Sequence, residues 1–384
     1  PPADPRWLDL LAAACRELRG GGALFEDLYL EQRLELRAAV RNGDFELEAC
    51  RLEGVAARWR APSRTMLDAR TGISATAIGE LLARRGAKLQ LPALRPLPAP
   101  ELDPPRAWQE WAREVASRLT AVHGVVRYLD RRAAVVRSDG WRPVSTPALV
   151  RVEHGGPRPA ALLAVWGHPQ TGAWLQDLIE AWPQKAWAPE PGSELPVVLA
   201  AGTAGALLHE VVGHMAESDL VATEASSLAG LLGATIGPPG LTIVDDPTRF
   251  DLAGAFSCDD EGVPAAPVPL VREGRLERFL CDREGARALG GDPGRGRRAG
   301  WARPPVARLS NLVVAGGTTA PAALEAELER GLVVTRIGGA TVDPVAARLV
   351  LRVERGWEIR NGRRRRPLAP CELTGKVMEV LAGI

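Results

Sequence analysis

Six residues, Ala188-Pro189-Glu190-Pro191-Gly192-Ser193, divide this chain into two stretches of different pattern. Two prolines flanking a glutamate, followed at once by glycine, fit neither a helix interior nor a central strand, so no regular element crosses them. The 384 residues on either side of that break amount to two domains of ordinary size. The expected boundaries are 1–190 for a mixed α/β N-terminal domain and 191–384 for a strand-rich C-terminal domain, an α+β fold overall. A second interruption lies inside the first domain. Six prolines stand between Leu89 and Arg106, which reads as a stiff, extended linker over 89–106.

Periodicity fills in the halves. In the first, helices are expected over Trp7–Leu18, Thr76–Arg85, Trp108–Leu119 and Leu175–Trp182. Short strands are expected at Glu46–Leu52, Gly54–Trp59, Val125–Leu129, Ala133–Val136 and Leu149–Glu153, while Leu24–Arg41 mixes acidic, aromatic and aliphatic residues and is assigned no element. Asp139-Gly140 marks a hairpin turn. In the second half, Leu195–Ala201 reads as a strand, Gly202–Gly205 as a glycine turn and Ala206 onward as a helix. Beyond Leu241 come short alternating strands, interrupted by helices at Arg283–Leu289, Pro321–Arg330 and Thr374–Leu381.

Charge narrows the function. Acidic and basic residues number 47 and 48, so nothing draws the whole chain to nucleic acid. No run approaches a membrane span, and Pro1-Pro2-Ala3-Asp4-Pro5 lacks the basic and apolar regions of a secretory signal, so a cytoplasmic protein is expected. Five cysteines (15, 50, 258, 281, 371) show no paired spacing and suggest no disulfide framework.

The chemistry concentrates in His209-Glu210-Val211-Val212-Gly213-His214, the pattern HExxxH. Neutral imidazoles are good ligands for zinc, and an adjacent glutamate can take a proton from metal-bound water. Histidines at i and i+4 stand about 40° apart on a helix; the i+5 spacing here puts them about 140° apart. One metal can hold both only if the helix ends or bulges between them, and Gly213 is the residue expected to permit that. Elsewhere, Asp259-Asp260-Glu261-Gly262 is either a cation site or a structured turn. Arg363–Arg366 suits a solvated hairpin strand, and Gly290–Gly296 a mobile loop. Trp174, Trp182 and Trp187 could line an apolar groove, against ordinary packing.

The hexamer and its surroundings resemble the TldD/PmbA metallopeptidases. The likeness begins at Pro196-Val197-Val198-Leu199 and runs through Gly202–His214 to Glu217 and Asp219. It continues in Val244-Asp245-Asp246-Pro247, Asp259–Pro264, Gly274–Glu284, Arg308-Leu309-Ser310-Asn311, Gly338–Asp343, Ile359–Gly362 and Leu373-Thr374-Gly375. The metal motif places the chain with the TldD-like members. The resemblance implies His209 and His214 as ligands of Zn2+ or another divalent transition metal, and Glu210 as the base that activates metal-bound water against a peptide bond. It implies a peptide substrate, including unfolded segments or a small modified peptide to be matured, and a dimer, either with a family-related TldE-like subunit or with itself. Nucleic acid and membrane are not expected as partners. TldD-like members take a third ligand, a cysteine, from beyond the Leu-Thr-Gly element, and this sequence reads as a member with a shortened C-terminus. Cys371, Cys281, Cys258, Glu217, Asp219 or a partner's residue could stand in. The rival reading is a non-catalytic or repurposed subunit of such a heterodimer, one that binds a partner or peptide.

Overall fold

Strand-compatible residues from 24 to 61 are numerous enough for two long antiparallel strands, and that hairpin founds the first half of the protein. The computed structural model describes residues 2–18, 24–41, 44–62, 64–85, 105–119, 124–154, 160–179, 186–344 and 346–384. Most of the expected linker at 89–106 lies outside them, as does Trp182. Helix α1 (Pro5–Cys15) leads to β1 (Leu24–Arg41), β2 (Asp44–Ala61) and β3 (Arg64–Thr71), then α2 (Ala75–Ala83) and α3 (Arg106–Arg118). After these come β4 (Val125–Arg137), β5 (Gly140–Ser145), β6 (Leu149–His154), β7 (Ala160–Val165) and α4 (Thr171–Ile179). The strands form one antiparallel sheet in the order β3-β2-β1-β4-β6-β7, with β5 paired to β4.

Three expectations are corrected here. The runs Glu46–Leu52 and Gly54–Trp59 are one strand, and Leu24–Arg41 is its partner, paired from Leu24↔Arg60 to Arg41↔Asp44. The runs Val125–Leu129 and Ala133–Val136 are likewise one strand, β4. Gly54 opens the expected run Gly54–Trp59, and its role is steric. A Cβ there would overlap the indole of Trp301, which reaches in from the second half. Helices cover one face of this sheet. Leu8 and Leu11 of α1 and Ile78 and Leu81 of α2 pack on Leu28, Leu30, Val55 and Trp59. Trp108, Ala112 and Val115 of α3 pack on Leu34, Leu36, Val126 and Val150. Each such aliphatic side chain contributes about 1.5–3 kcal/mol on burial.

The second half begins with β8 (Val197–Leu199) and α5 (Ala201–Leu208), a wide helical turn at His209–Gly213, a tight one at His214–Ala216, and α6 (Ser218–Ala222). Then follow β9 (Ile243–Asp245), β10 (Val268–Arg272), β11 (Arg275–Leu276), α7 (Arg283–Leu289), β12 (Gly296–Arg297), β13 (Val306–Ala307), β14 (Leu312–Val314) and α8 (Pro321–Ala326). The chain closes with β15 (Arg330–Asp343), β16 (Arg348–Arg360), β17 (Arg363–Pro367), β18 (Cys371–Lys376) and α9 (Val377–Ala382). These make sheets ordered β11-β10-β9-β14, β12-β13 and β17-β16-β15-β8, with β18 also on β16. The architecture is α+β, as expected. No glycine turn stands at Gly202–Gly205; those residues form the first turns of α5, because the Ala200 amide donates to Val334 O (2.9 Å) and the helix starts at once. Asn361 and Gly362 (φ 48° and 69°) make the β16–β17 turn, and Arg364 and Arg366 pair with Glu325 and Glu358. Of Gly290–Gly296, residues 290–293 are exposed while 294–296 are buried, where Arg295 pairs with buried Asp245 and β12 begins at Gly296.

Charged groups bind the halves together. Asp27 lies between Arg58 of the first half and Arg298 of the second, and Arg58 also pairs with Glu261. Arg131 meets Asp260 at 2.6 Å and Glu31 at 3.3 Å. Burial works against the Arg58 charge, but Asp27, Glu261 and Glu26 outweigh it and raise its pKa. Asp259 accepts backbone amides from Glu261, Val263 and Gly296 at 2.8–3.0 Å. The acidic run is therefore a structured turn whose carboxylates already have protein donors.

Removing one partner from such a buried cluster leaves uncompensated charge. Arg58→Ala is expected to destabilise the protein by about 3–5 kcal/mol in urea unfolding. A loss below about 1 kcal/mol would show that the seam is solvated and dispensable.

Candidate metal centre

Backbone placement comes first. Strand β8 pairs in parallel with Leu332–Val334 of β15 and so fixes where α5 starts. Leu207 and Leu208 enter the apolar core with Ile243, Leu270, Leu349 and Leu351. At His209 the helix widens: the His214 amide donates to the His209 carbonyl five residues back, in place of the usual four. The extra residue in the turn brings together two side chains that a regular helix would hold apart. The two imidazole centroids lie 4.6 Å apart with their planes at 86°. His209, Glu210 and His214 each offer a ligand atom within 4.8 Å of the others. Val211, Val212 and Gly213 between them are buried, so polar residues face out and apolar ones anchor the turn.

The bulge was foreseen, but its cause differs from the expectation. Gly213 has φ −56° and ψ −64°, a right-handed conformation open to any residue. What favours glycine there is space, since a Cβ would stand 3.2 Å from Leu309 Cδ2.

Glu217, one of the stand-in ligands considered, sits behind His214. It is buried, and its Oε1 accepts from His214 Nδ1 (3.0 Å) and from the Leu309 amide (3.1 Å). Its Oε2 receives Arg308 Nη1 at 3.1 Å, and Arg308 also holds Asp219 at 3.0 Å. With Nδ1 engaged, His214 presents Nε2 outward, the arrangement by which a carboxylate orients a metal-binding imidazole. The i+3 spacing from His214 to Glu217 was the signal available in the sequence. Electrostatics separates the two histidines. Burial and then the neighbouring His214 push the His209 pKa down to about 4, keeping it neutral. The Glu217 hydrogen bond raises that of His214. Burial raises Glu210, which leaves it a stronger base than an exposed carboxylate.

Among the described residues no cysteine joins the group. Cys371 faces Val353 in an apolar cluster with Leu332 and Leu368. Cys258 donates to Pro143 O (3.3 Å), and burial pushes its thiol up to about 12. Burial pushes Cys281 up to about 11. Such thiols resist the deprotonation that metal binding requires. Trp174 stacks on His168 at 4.7 Å, and Trp187 packs in a different cluster beneath Arg366, so these two line no common groove.

His209 and Glu210 open onto a cavity of about 750 Å³. Gly205 and Ala206 wall one side, Ser310 and Asn311 another, and Arg336–Ala340 of β15 a third, where the strand's register shifts repeatedly. Ala161 and Leu163 of β7 close it from the first half. Nothing in the sequence pointed to those two residues.

Residues 192–384 match the PmbA/TldA metallopeptidase C-terminal domain. The chain is 34% identical over 195 residues to a Metalloprotease TldD homolog of Haemophilus influenzae, covering 50% of this chain and 40% of that protein. It is 32% identical over 197 residues to a Metalloprotease of Methanothermobacter thermautotrophicus, covering 51% and 43%. It thus spans less than half the length of these relatives. Among solved structures, TldE from Thermococcus kodakarensis superposes with a TM-score of 0.69 at 15% identity, over 93% of this chain and 89% of that one. A putative modulator of a DNA gyrase from Thermotoga maritima gives 0.70 at 18%, over 94% and 90%. At such identities the likeness concerns the fold.

If Glu217 orients His214, Glu217→Gln should weaken zinc binding about 10- to 100-fold, as measured by competition with a chromogenic chelator. An unchanged affinity, with the fold intact by circular dichroism, would reduce Glu217 to a packing residue.

Proposed function

This chain belongs to the PmbA/TldA metallopeptidase family, and we propose that it hydrolyses peptide bonds in peptides or unfolded segments with a divalent transition metal, zinc first among them, at His209 and His214. The observation that carries this reading is the five-residue turn that gathers two imidazoles and a carboxylate, with His209 and Glu210 at the wall of an open cavity. Two histidine nitrogens, one held neutral and the other oriented by Glu217, are a donor set that suits zinc. A bound ion supplies Lewis acidity toward the peptide carbonyl and toward water.

Glu210 does the proton work in this reading. Its carboxylate, raised by burial, takes a proton from the attacking water and delivers it to the departing amide nitrogen. Ser310 and Asn311 and the bulged segment of β15 line the space a peptide would occupy. The division at 190/191 belongs to the same proposal: the seven-stranded sheet ends before it, and all the proposed ligands follow it. Among the described residues no helix is long and apolar enough to cross a membrane, and we place the protein in the cytoplasm. A family-related subunit is the proposed partner, supported by the fold shared with TldE.

A second reading has its own observation. The described residues bring two histidines and one carboxylate together, with no thiol, so the chain could act as a binding subunit, or take a further ligand from a partner. Elemental analysis separates these. About one zinc per chain, lost in His214→Ala, is expected for the peptidase. Metal bound only in the presence of a related subunit would assign a ligand in trans. No metal under either condition would leave the binding subunit. Glu210→Gln is expected to keep the metal and lower kcat at least about 100-fold. Loss of the metal instead would make Glu210 a ligand and not the base.

A further inference from the structure

The seven-stranded sheet has a second face, and only part of it is covered. Tyr29, Ala133 and Val135 on that face pack against Cys258 and Trp301 of the second half. Further along the same strands, among the described residues, the face is open and encloses a cavity of about 670 Å³. Its floor is apolar: Leu129 pairs with Leu149, and Leu163 lies beside them on β7. Its arginines all meet carboxylates, Glu153 being shared by two of them, and Glu35 adds a further carboxylate to the lining. Arg37 meets Glu48 at 3.4 Å, and Glu153 holds both Arg127 (3.3 Å) and Arg151 (2.6 Å).

Leu163 is the decisive residue. It is 52% exposed and, on the edge strand β7, lines both this cavity and the one onto which His209 and Glu210 open. From Leu163 the open face runs over β6, β4 and β1 to Cys50 on β2, opposite Glu35. Four strand-to-strand steps of about 4.8 Å make roughly 19 Å, the reach of about six residues of extended peptide.

We propose that this open face is the far arm of the substrate site, binding an apolar segment of a peptide some residues away from the bond held at the metal centre. The inference rests on the peptidase reading. An apolar floor with self-neutralised charges selects an apolar side chain and does not discriminate by net charge. It also makes length a determinant, since a tripeptide at the metal centre cannot reach beyond Leu163.

Cys50 reports occupancy without any need for catalysis. It is exposed, while Cys15, Cys258 and Cys281 are buried and Cys371 is partly so. The experiment follows maleimide alkylation of Cys50 by peptide mapping, with peptides of about fourteen residues carrying spaced leucines and with a tripeptide control. Cleavage of the same peptides by the metal-loaded protein is scored in parallel. At peptide concentrations near ten times Kd, the long peptides should slow Cys50 alkylation about tenfold and the tripeptide should not. Leu149→Lys, which puts a charge on the floor, should cut that protection below about twofold. Cleavage without protection overturns the far arm and leaves the peptidase. Protection without cleavage leaves a peptide-binding face, but overturns the peptidase reading and with it the face's role as an arm of a substrate site. Neither result overturns both. Protection that grows with protein concentration alone, without peptide, would give the face to a second copy of the chain and overturn this inference.

Discussion

The hydrogen bond from the His214 amide to the His209 carbonyl decides whether this chain can carry its chemistry. With the usual four-residue bond, the i+5 spacing would send one imidazole into the core or away around the helix. The wider turn removes that conflict at the cost of poorer backbone geometry, and the surroundings offset the cost. Val211 and Val212 are fully buried on one side. On the other, Glu217 ties His214 to Arg308 and to the Leu309 amide. Leu309 in turn sits against Gly213, where no side chain larger than hydrogen fits without displacement. The site is thus an irregular turn held on both flanks, and its functional groups point the only way left open.

That turn depends on a scaffold it does not belong to. The first half supplies none of the proposed ligands, yet β7 closes the cavity, and the joining of the halves rests on buried charge. Arg58, Arg131 and Arg298 meet Asp27, Glu31, Asp260 and Glu261 with almost no water access. Buried ion pairs gain little stability over well-packed apolar groups, but they penalise misalignment heavily, because each displaced charge is left uncompensated. Such a seam serves registry. With the halves in register, Ala161 and Leu163 line the cavity from the first half.

The sequence made the second half more legible than the first, for physical reasons. Local signals were strong there: helix α7 over Arg283–Leu289 is capped by Asp282, whose side chain receives the Gly285 amide, and ends at Gly290 in the left-handed region. The HExxxH spacing itself required a bulge, and the bulge is present. Charged residues inside long strands hid β1 and divided β2 and β4, and glycine misled at Gly202 and Gly205. At Gly54 and Gly213 the demand was for space beside a residue distant in sequence, and at Gly202 and Gly205 tertiary anchoring overrode low helix propensity. Cavity walls such as Leu163 were invisible for a related reason. An alternating leucine on a strand declares a face, but what that face borders is set by the other half of the chain.

The same logic explains why an exposed leucine on an edge strand need not be a defect. An uncovered apolar strip on a sheet ordinarily invites association, and proteins blunt it with charge. Here Arg37, Arg127 and Arg151 stand on the open face, Arg37 paired with Glu48 and the other two sharing Glu153. Charges paired within the face discourage unselective association without creating a field that would repel or attract a passing chain by its net charge. An apolar floor between such pairs offers modest, sequence-tolerant contact. The selectivity of the site then falls on reach and on access to the turn at His209, not on a tight pocket for one side chain.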